Sequence, residues 1–294
     1  MTKNKVTIVI PTFNRANYVA KTIDSALSQS VNCDIVVCDH GSKDNTQEVM
    51  KIYDGLVKYI RREDDFGPHF CWLEGILHAK TEFIHIHFDD DLMEPTFIEE
   101  TLKLMTDKVG MVFSEAKIFD INSQKVAHEN IFHLKDKLNH GINDSKVLEK
   151  LLFNGLMLSP ACCLYRKKEL VDGLYQGDLP LDFGGNYHGV GPDHFFSFLA
   201  VMRYPKFGFV DKSLAIFGSH DGSITIDASS DPEKSVKLQN GYEALRNYCR
   251  LINLYKNNNS IKEKIKKKNP LLKRIIRSLK LFLKAIGLRK KGVK

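Results

Sequence analysis

The first 113 residues alternate short apolar segments with segments of helical periodicity. The apolar segments predict strands, which are Val6–Ile10, Ile35–Cys38, Val57–Ile60, Phe83–Phe88 and Val109–Phe113. The segments with amphipathic spacing predict helices, which are Tyr18–Ser28, Thr46–Tyr53, Phe70–Ala79 and Thr96–Met105. Because strands and helices alternate, we expect an α/β fold with a doubly wound, mostly parallel sheet flanked by helices.

The pattern changes after residue 113. Residues 114–230 contain apolar patches without a regular period, and Gly177–Gly191 is rich in glycine and aromatic residues, which is typical of a loop over a site. Helical spacing returns near Pro232 and continues to the C-terminus, with interruptions at residues 257–259 and 269–270. The sequence therefore predicts one domain over residues 1–230 and a helical extension over residues 231–294.

Three consecutive aspartates, Asp89, Asp90 and Asp91, end the fourth predicted strand. Ligands of α/β sheets bind at the carboxyl ends of the strands. Three adjacent carboxylates repel each other unless a cation neutralises them, and oxygen ligands suit Mg²⁺ or Mn²⁺ bound together with substrate phosphates. A helix N-terminus is the alternative, since Pro95 follows and aspartate favours a first helical turn, but one aspartate would be enough for that.

The first and second predicted strands also end in polar segments, Pro11–Arg15 and Asp39–Asp44. In a parallel sheet both segments lie at the same edge as the three aspartates. An ionised Asp39 only accepts hydrogen bonds, so it would suit a base with a ring N–H, such as uracil, thymine or guanine. Turn and N-cap chemistry is the alternative for this segment, above all for Ser42 and Asp44.

Four segments together resemble the family-2 glycosyltransferases, which have the GT-A fold. They are Val6–Arg15 (VTIVIPTFNR), Ile35–Thr46 (IVVCDHGSKDNT), Gly67–Trp72 and Phe88–Pro95 (FDDDLMEP). Their order and spacing carry the resemblance, which covers roughly residues 5–225. Members usually have Asp-Asp-Gly-Ser or Asp-Asn-Gly-Ser where this chain has Asp-His-Gly-Ser, and His40 falls at the position that tolerates variation.

The resemblance implies a nucleotide-binding half over residues 1–113 and an acceptor-binding half over residues 114–230. The implied nucleotide-binding residues are Pro11, Thr12, Asn14, Arg15, Asp39 and Asp89. In the family's Asp-x-Asp motif Asp90 takes the metal-binding third place and Phe88 the first. The resemblance leaves open whether Asp89 or Asp91 assists Asp90, and we assign Asp91 to the metal.

Two later segments are also similar to motifs of the family. Gly191–Phe196 resembles the acidic motif that supplies the catalytic base, which would be Asp193. The alternative is that Asp193 caps a helix over His194–Met202. His220 lies in a segment resembling the His-x-x-Gly-Ser sequence that closes over the diphosphate or the metal, and we assign it to the metal. His85 and His87 share a strand face, where core positions are favoured over ligand roles.

The resemblance implies an inverting, metal-assisted glycosyltransferase. The expected donor is a nucleotide diphosphate sugar, UDP-linked by preference, and the expected acceptor is a hydroxyl of a saccharide or glycolipid in cell-surface polysaccharide synthesis. An inactive membrane-associated scaffold and a carboxylate-pair hydrolase are the alternatives. The segment after the first strand is not the Gly-rich loop of a nucleotidyltransferase, and no Gly-x-Gly-x-x-Gly of a dinucleotide oxidoreductase occurs.

Charge is spread unevenly along the chain. The net charge is +7, but residues 261–294 hold 14 Lys and Arg and one Glu, so the tail carries +13 and the remainder −6. On a helical wheel of residues 271–286 the apolar residues fall within an arc of about 120° and the basic residues lie opposite. This pattern indicates an interfacial helix on an anionic membrane. Docking on the acidic body or on a partner helix is the alternative, and nucleic acid is not expected.

The cysteines and the start of the chain indicate the compartment. The six cysteines show no Cys-x-x-Cys spacing, so we expect buried thiols in a reducing compartment. The polar residues 1–5 lead directly into a short strand, and this start predicts no secretion signal. We therefore expect a cytoplasmic protein that is peripheral on the inner face of the cell membrane.

Overall fold

The computed structural model of the chain describes residues 4–174, 191–220, 232–258 and 277–281. The strands are β1 (Val6–Thr12), β2 (Asp34–Asp39), β3 (Lys58–Arg61), β4 (Phe83–Ile86), β5 (Leu92–Met93), β6 (Val109–Asp120), β7 (Lys125–His128), β8 (Gly141–Asp144), β9 (Cys163–Arg166) and β10 (Lys206–Ser219). The longer helices are α1 (Val19–Leu27), α2 (Thr46–Met50), α3 (Pro68–His78), α4 (Phe97–Lys103), α5 (Ser145–Phe153), α6 (Lys167–Gly173), α7 (Pro192–Arg203) and α8 (Pro232–Asn257). Short 3₁₀ turns occupy Lys51–Tyr53 and Pro160–Cys162.

The ten described strands form one mixed sheet in the order β3-β2-β1-β4-β9-β6-β10-β5, with β7 beside β6 and β8 beside β10. β1 is parallel to β2 and β4, β2 is parallel to β3, and β6 is parallel to β10. β9 runs antiparallel between β4 and β6, so these two strands share a direction. The mostly parallel, doubly wound sheet predicted from the sequence is therefore confirmed.

All five strands and four helices predicted in the first 113 residues are present, with small shifts at their ends. The largest difference is β6, which was predicted to end at Phe113 and continues to Asp120. The additional part of β6, residues 114–120, pairs with β10 up to Ser219. Periodicity within residues 109–120 could not reveal this pairing, because the partner strand comes about a hundred residues later.

Helix α8 begins the predicted extension and packs on the domain. Its residues Leu245, Cys249 and Ile252 are buried in the same apolar cluster as the sheet core. Tyr248 lies 6.1 Å from Phe195 of α7 between ring centroids. The described part of the extension is thus held by the core of the domain.

Other predictions concern side chains and the tail. All six cysteines are free thiols, and Cys33 alone among them is incompletely buried. His85 and His87 are wholly buried, as expected for core positions.

The loop predicted over Gly177–Gly191 lies outside the described residues except for Gly191. Along the described ranges, no helix is both long enough and apolar enough to cross a membrane.

The predicted amphipathic segment, residues 271–286, is described only over residues 277–281, which are helical. Leu279 is buried, whereas Arg277 and Lys280 are exposed. Leu281, which breaks the amphipathic pattern, is 63% exposed. Over this turn, the apolar stripe faces the protein and the basic side faces solvent.

Candidate active site

The carboxyl ends of β1, β2 and β4 lie side by side. Thr12 at the end of β1 is in register with Asp39 at the end of β2. On the other side of β1, the backbone N–H of His87 donates to the carbonyl of Val9 at 2.9 Å, just after β4. The polar segments that follow the three strands therefore meet at one sheet edge, as the sequence predicted.

Asn14 joins the segments after β1 and β2. Its backbone N–H donates to Ser42 Oγ at 2.9 Å, and its Oδ1 accepts from the Lys43 N–H at 2.7 Å. Asn14 has a positive φ of 54°, a conformation that asparagine tolerates better than most residues. Pro11 and Thr12 are buried at the end of β1, and the side chain of Asn14 is exposed. These residues form part of the sheet edge at the end of β1. Their contact with a nucleotide stays a prediction.

Asp39 is 1% exposed and has several internal partners. Its Oδ1 accepts from the backbone N–H groups of Gly41 and Ser42, at 3.1 and 2.8 Å. Its Oδ2 accepts from the Tyr59 hydroxyl at 2.7 Å. Arg61 Nε also lies 3.8 Å from Oδ2. The turn chemistry kept as the alternative is therefore present, and base binding by Asp39 stays a prediction.

His40 is part of a contact that the sequence did not reveal. Its Nδ1 lies 2.6 Å from Asp65 Oδ1, a distance at which the ring N–H donates to the carboxylate. Its ring stacks on Phe13 with 4.7 Å between centroids. Burial raises the pKa of Asp65, but hydrogen bonds from the Gly67 N–H and from His40 outweigh it and the net shift is downward. Position 40 thus anchors the loop before α3 to the segment after β1.

The three aspartates point in different directions. Asp89 Oδ2 accepts from the Phe13 N–H at 3.3 Å, and its Oδ1 lies 3.8 Å from Arg15 Nε. Asp90 Oδ2 lies 3.9 Å from Arg15 Nη2 and 3.0 Å from His220 Nε2. Asp91 Oδ1 accepts from the Gly218 N–H at 3.0 Å. Arg15 therefore bridges Asp89 and Asp90, and Asp91 holds β10.

Their pKa values reflect crowded negative charge. Burial, followed by the neighbouring Asp90, raises the pKa of Asp89 to about 7. Burial and Asp90 also raise the pKa of Asp91 well above its ordinary value. A cation near Asp90 would relieve this repulsion.

Asp90 and His220 share a hydrogen bond whose length also equals the spacing of two adjacent ligands of a divalent cation. Two adjacent ligands of an octahedral ion with bonds of about 2.1 Å lie about 3.0 Å apart. The distance between Asp90 Oδ2 and His220 Nε2 is 3.0 Å. Within the described ranges, no three His, Cys, Asp or Glu side chains converge as a metal site, so phosphate and water oxygens would complete the shell. Asp91 as a ligand stays a prediction, since one of its oxygens binds Gly218.

A cavity of about 290 Å³ opens beside Asp90. Its walls are mainly apolar and include Leu92, Phe119 and Ile216. Tyr18 also lines it and stacks on His220, with 4.4 Å between ring centroids. Asp90 therefore borders open space, whereas His220 lies behind Tyr18.

Asp193 is the second residue of α7, after the N-cap Gly191 and Pro192. Its Oδ1 accepts from the His194 N–H at 2.8 Å, and its Oδ2 accepts from the Tyr242 hydroxyl at 3.1 Å. Burial raises the pKa of Asp193, and these hydrogen bonds offset part of that shift. Asp193 is therefore not the helix cap, which is Gly191. Its carboxylate in the first helical turn is favourable and is compatible with a base. Tyr242 was missed, because no local pattern links residues this far apart.

Trp72 connects α7 to the aspartate segment. Its ring lies 5.2 Å from Phe88, directly before Asp89, and 6.5 Å from Phe196, one turn after Asp193. The first turn of α7 therefore lies near the sheet edge that carries the three aspartates.

The fold is similar to that of solved structures. The structure of Staphylococcus aureus TarS residues 1–349 in complex with UDP-GlcNAc superposes with a TM-score of 0.56 at 18% identity, covering 96% of this chain and 81% of that one. The class of protein is thus that of the GT-A fold. The profile of glycosyl transferase family 2 matches residues 7–172, and the chain belongs to this family.

Sequence relatives agree with the family. An uncharacterized glycosyltransferase of Rickettsia typhi is 28% identical over 244 residues, which are 81% of this chain and 71% of that protein. A chondroitin synthase of Escherichia coli is 30% identical over 115 residues, which are 36% of this chain and 17% of that protein. The chain thus spans most of the first relative and a small part of the second.

Proposed function

We propose that this protein transfers a sugar, with inversion, from a UDP-linked donor to a hydroxyl of a saccharide or glycolipid in cell-surface polysaccharide synthesis. The main support is the sheet edge where Arg15 bridges Asp89 and Asp90 while His220 meets Asp90. The UDP-GlcNAc bound to TarS and the polysaccharide made by the chondroitin synthase favour this donor and this pathway.

The donor's nucleotide would lie over the segments after β1 and β2. A ring N–H of uracil would donate to Asp39 Oδ2, beside Tyr59 and Arg61, which already meet this oxygen. Arg15, already between two carboxylates, would bind the diphosphate oxygens. Asp90 and His220 would hold Mg²⁺ or Mn²⁺, with Asp91 as a further candidate, and such an ion supplies Lewis-acid stabilisation of the leaving diphosphate.

Asp193 would act as the general base. Its carboxylate takes the proton of the acceptor hydroxyl while that oxygen bonds to the anomeric carbon. The bond from the anomeric carbon to the diphosphate oxygen breaks, and the nucleoside diphosphate leaves with the electron pair. Because attack comes from the face opposite the leaving group, the anomeric configuration inverts.

The tail would hold the enzyme at an anionic membrane through residues 271–286. Exposure of Arg277 and Lys280 supports an electrostatic contact. Burial of Leu279 favours packing of the apolar stripe on the protein over this turn. We propose that the enzyme is cytoplasmic and peripheral on the inner face of the membrane.

Thermal stabilisation by nucleotides tests the donor class. The purified protein is heated with UDP, GDP, CDP or dTDP, each with and without Mn²⁺. We expect the largest increase in Tm with UDP, and a further increase with Mn²⁺, since a ligand that binds only the folded state stabilises it. A folded protein that responds to none of the four would contradict the proposal and favour the scaffold or hydrolase alternatives.

A further inference from the structure

The carboxylate of Asp193 is held from outside its own helix by a tyrosine of α8. We infer that Tyr242 is a positioning residue that fixes the orientation of the Asp193 carboxylate for proton transfer. The inference rests on the proposed function, in which Asp193 is the general base, and it adds the residue that orients this base.

Both oxygens of Asp193 have a partner. Oδ1 accepts from the His194 N–H at 2.8 Å, and Oδ2 accepts from the Tyr242 hydroxyl at 3.1 Å. One bond would leave the carboxylate free to rotate about its terminal torsion, which is broad in aspartate. Two bonds from different helices fix that rotation, so the remaining acceptor sites point in a defined direction.

Tyr242 is itself held firmly. Its ring meets the His194 ring edge-on, with 5.9 Å between centroids and an interplanar angle of 84°. One turn later Leu245 is fully buried, and further along α8 the ammonium group of Lys256 donates to the Met202 carbonyl near the end of α7. Helices α7 and α8 are thus joined near both ends of α7, and the hydroxyl is preorganised.

The same hydroxyl acts on the charge of Asp193. Burial raises the pKa of this carboxyl, and donation by the hydroxyl favours the ionised form. Among the described residues, Tyr242 from α8 donates to it, and His194 from α7 packs its ring against Tyr242. Burial, with a smaller effect of Arg246, lowers the pKa of His194 to about 3, so this ring is neutral and adds no charge. Within the described ranges, the Tyr242 hydroxyl is therefore the side-chain donor to Asp193 that opposes the effect of burial.

Tyr242→Phe tests the inference because it removes the hydroxyl and keeps the ring against His194. Tyr255→Phe is the matched control, since it removes a hydroxyl from the same helix away from Asp193. Asp193→Asn defines activity without the base. Each protein is assayed for UDP release from UDP-GlcNAc across pH, with water as the acceptor, and for UDP affinity by calorimetry.

We expect Tyr242→Phe to lower kcat about tenfold, as typical for a hydrogen bond to a charged group, with unchanged UDP affinity. Its acid limb should move to higher pH by about one unit, because the lost donor had lowered the pKa of the base. Tyr255→Phe should keep the wild-type profile. A Tyr242→Phe profile identical to wild type would overturn the inference, as would full activity in Asp193→Asn.

A direct titration gives an answer even where turnover is slow. The side-chain carboxyl ¹³C resonance of Asp193 is assigned by its absence in Asp193→Asn and followed across pH. Its midpoint should be higher in Tyr242→Phe than in wild type and in Tyr255→Phe, and equal midpoints would reject the role of Tyr242. Failure of the proposed function is distinguishable, because it would appear as absent UDP binding in the wild-type protein.

Discussion

Asp89, Asp90 and Asp91 are neighbours in the chain, yet each carboxylate meets a different part of the molecule. Asp89 meets the segment after β1, Asp90 meets His220, and Asp91 meets Gly218 of β10. Only Asp90 combines a histidine partner with an adjoining cavity. The sequence could predict that this cluster matters, but it could not divide the roles, because the partners lie in distant segments.

Asp90→Asn tests whether Asp90, among the three aspartates, is the metal ligand. The substitution keeps the shape and removes the charge, so we expect loss of the additional Mn²⁺-dependent increase in Tm and a fall in transfer of about 100-fold or more. UDP should still raise Tm without metal. Asp54→Asn, an exposed position, is the control and should behave as wild type. A Mn²⁺ response that survives in Asp90→Asn would exclude this carboxylate as a ligand.

Strand β10 brings His220 to the aspartates, and Gly218 permits the approach. A Cβ at Gly218 would overlap the carbonyl oxygen of Asp90. Because the obstacle is backbone, a side chain at this position cannot be accommodated by a rotamer change. The end of β10 therefore needs glycine to lie against the backbone of the aspartate segment.

Gly218→Ala is expected to displace the end of strand β10 from the aspartate segment. Displacing β10 should separate His220 from Asp90, so the Mn²⁺-dependent increase in Tm should vanish, and overpacking should cost about 1–3 kcal/mol of the free energy of unfolding. Gly208→Ala is the matched control, since Gly208 lies in β10 away from the aspartates and its Cβ would crowd the Val112 side chain of β6. It should lose stability and keep the Mn²⁺ response. A retained response in Gly218→Ala would contradict this account.

Sequence reasoning succeeded where structure is local. In residues 1–113, periodicity was enough to predict every longer strand and helix, but not the two-residue strand β5, which pairs with the distant β10. Contacts across longer separations were missed, among them the pairing of β6 with β10 and the contact of Tyr242 with Asp193. Such contacts depend on tertiary packing, which a period of two or 3.6 residues does not encode.

The whole molecule separates charge between an acidic body and a basic tail, −6 against +13. On the described turn of the tail, the basic residues face solvent and Leu279 faces the protein. A tail arranged in this way would bind a membrane mainly through charge. Such binding weakens with salt, because exposed charges are screened over about 8–10 Å at moderate ionic strength.

Charge reversal tests the tail. Arg277→Glu with Lys280→Glu should weaken binding to phosphatidylserine vesicles about tenfold or more, since each basic residue near the surface contributes about 1 kcal/mol. The control is Lys58→Glu with Lys125→Glu, which makes the same change in net charge at exposed positions outside the tail. It should have little effect on vesicle binding. Co-sedimentation at low and high salt measures both. Equal binding of the two double variants would refute a membrane role for the tail.

The position of β9 has a consequence for synthesis of the chain. β9 is the strand between β4 and β6, but Cys163–Arg166 follow both of them in the sequence. A nascent chain therefore leaves the ribosome with two strands whose facing edges have no partner until residue 166 emerges. Open edges of this kind invite pairing with other chains. Chaperone demand should thus be greatest during translation of the stretch between β6 and β9, and should fall once β9 closes the sheet.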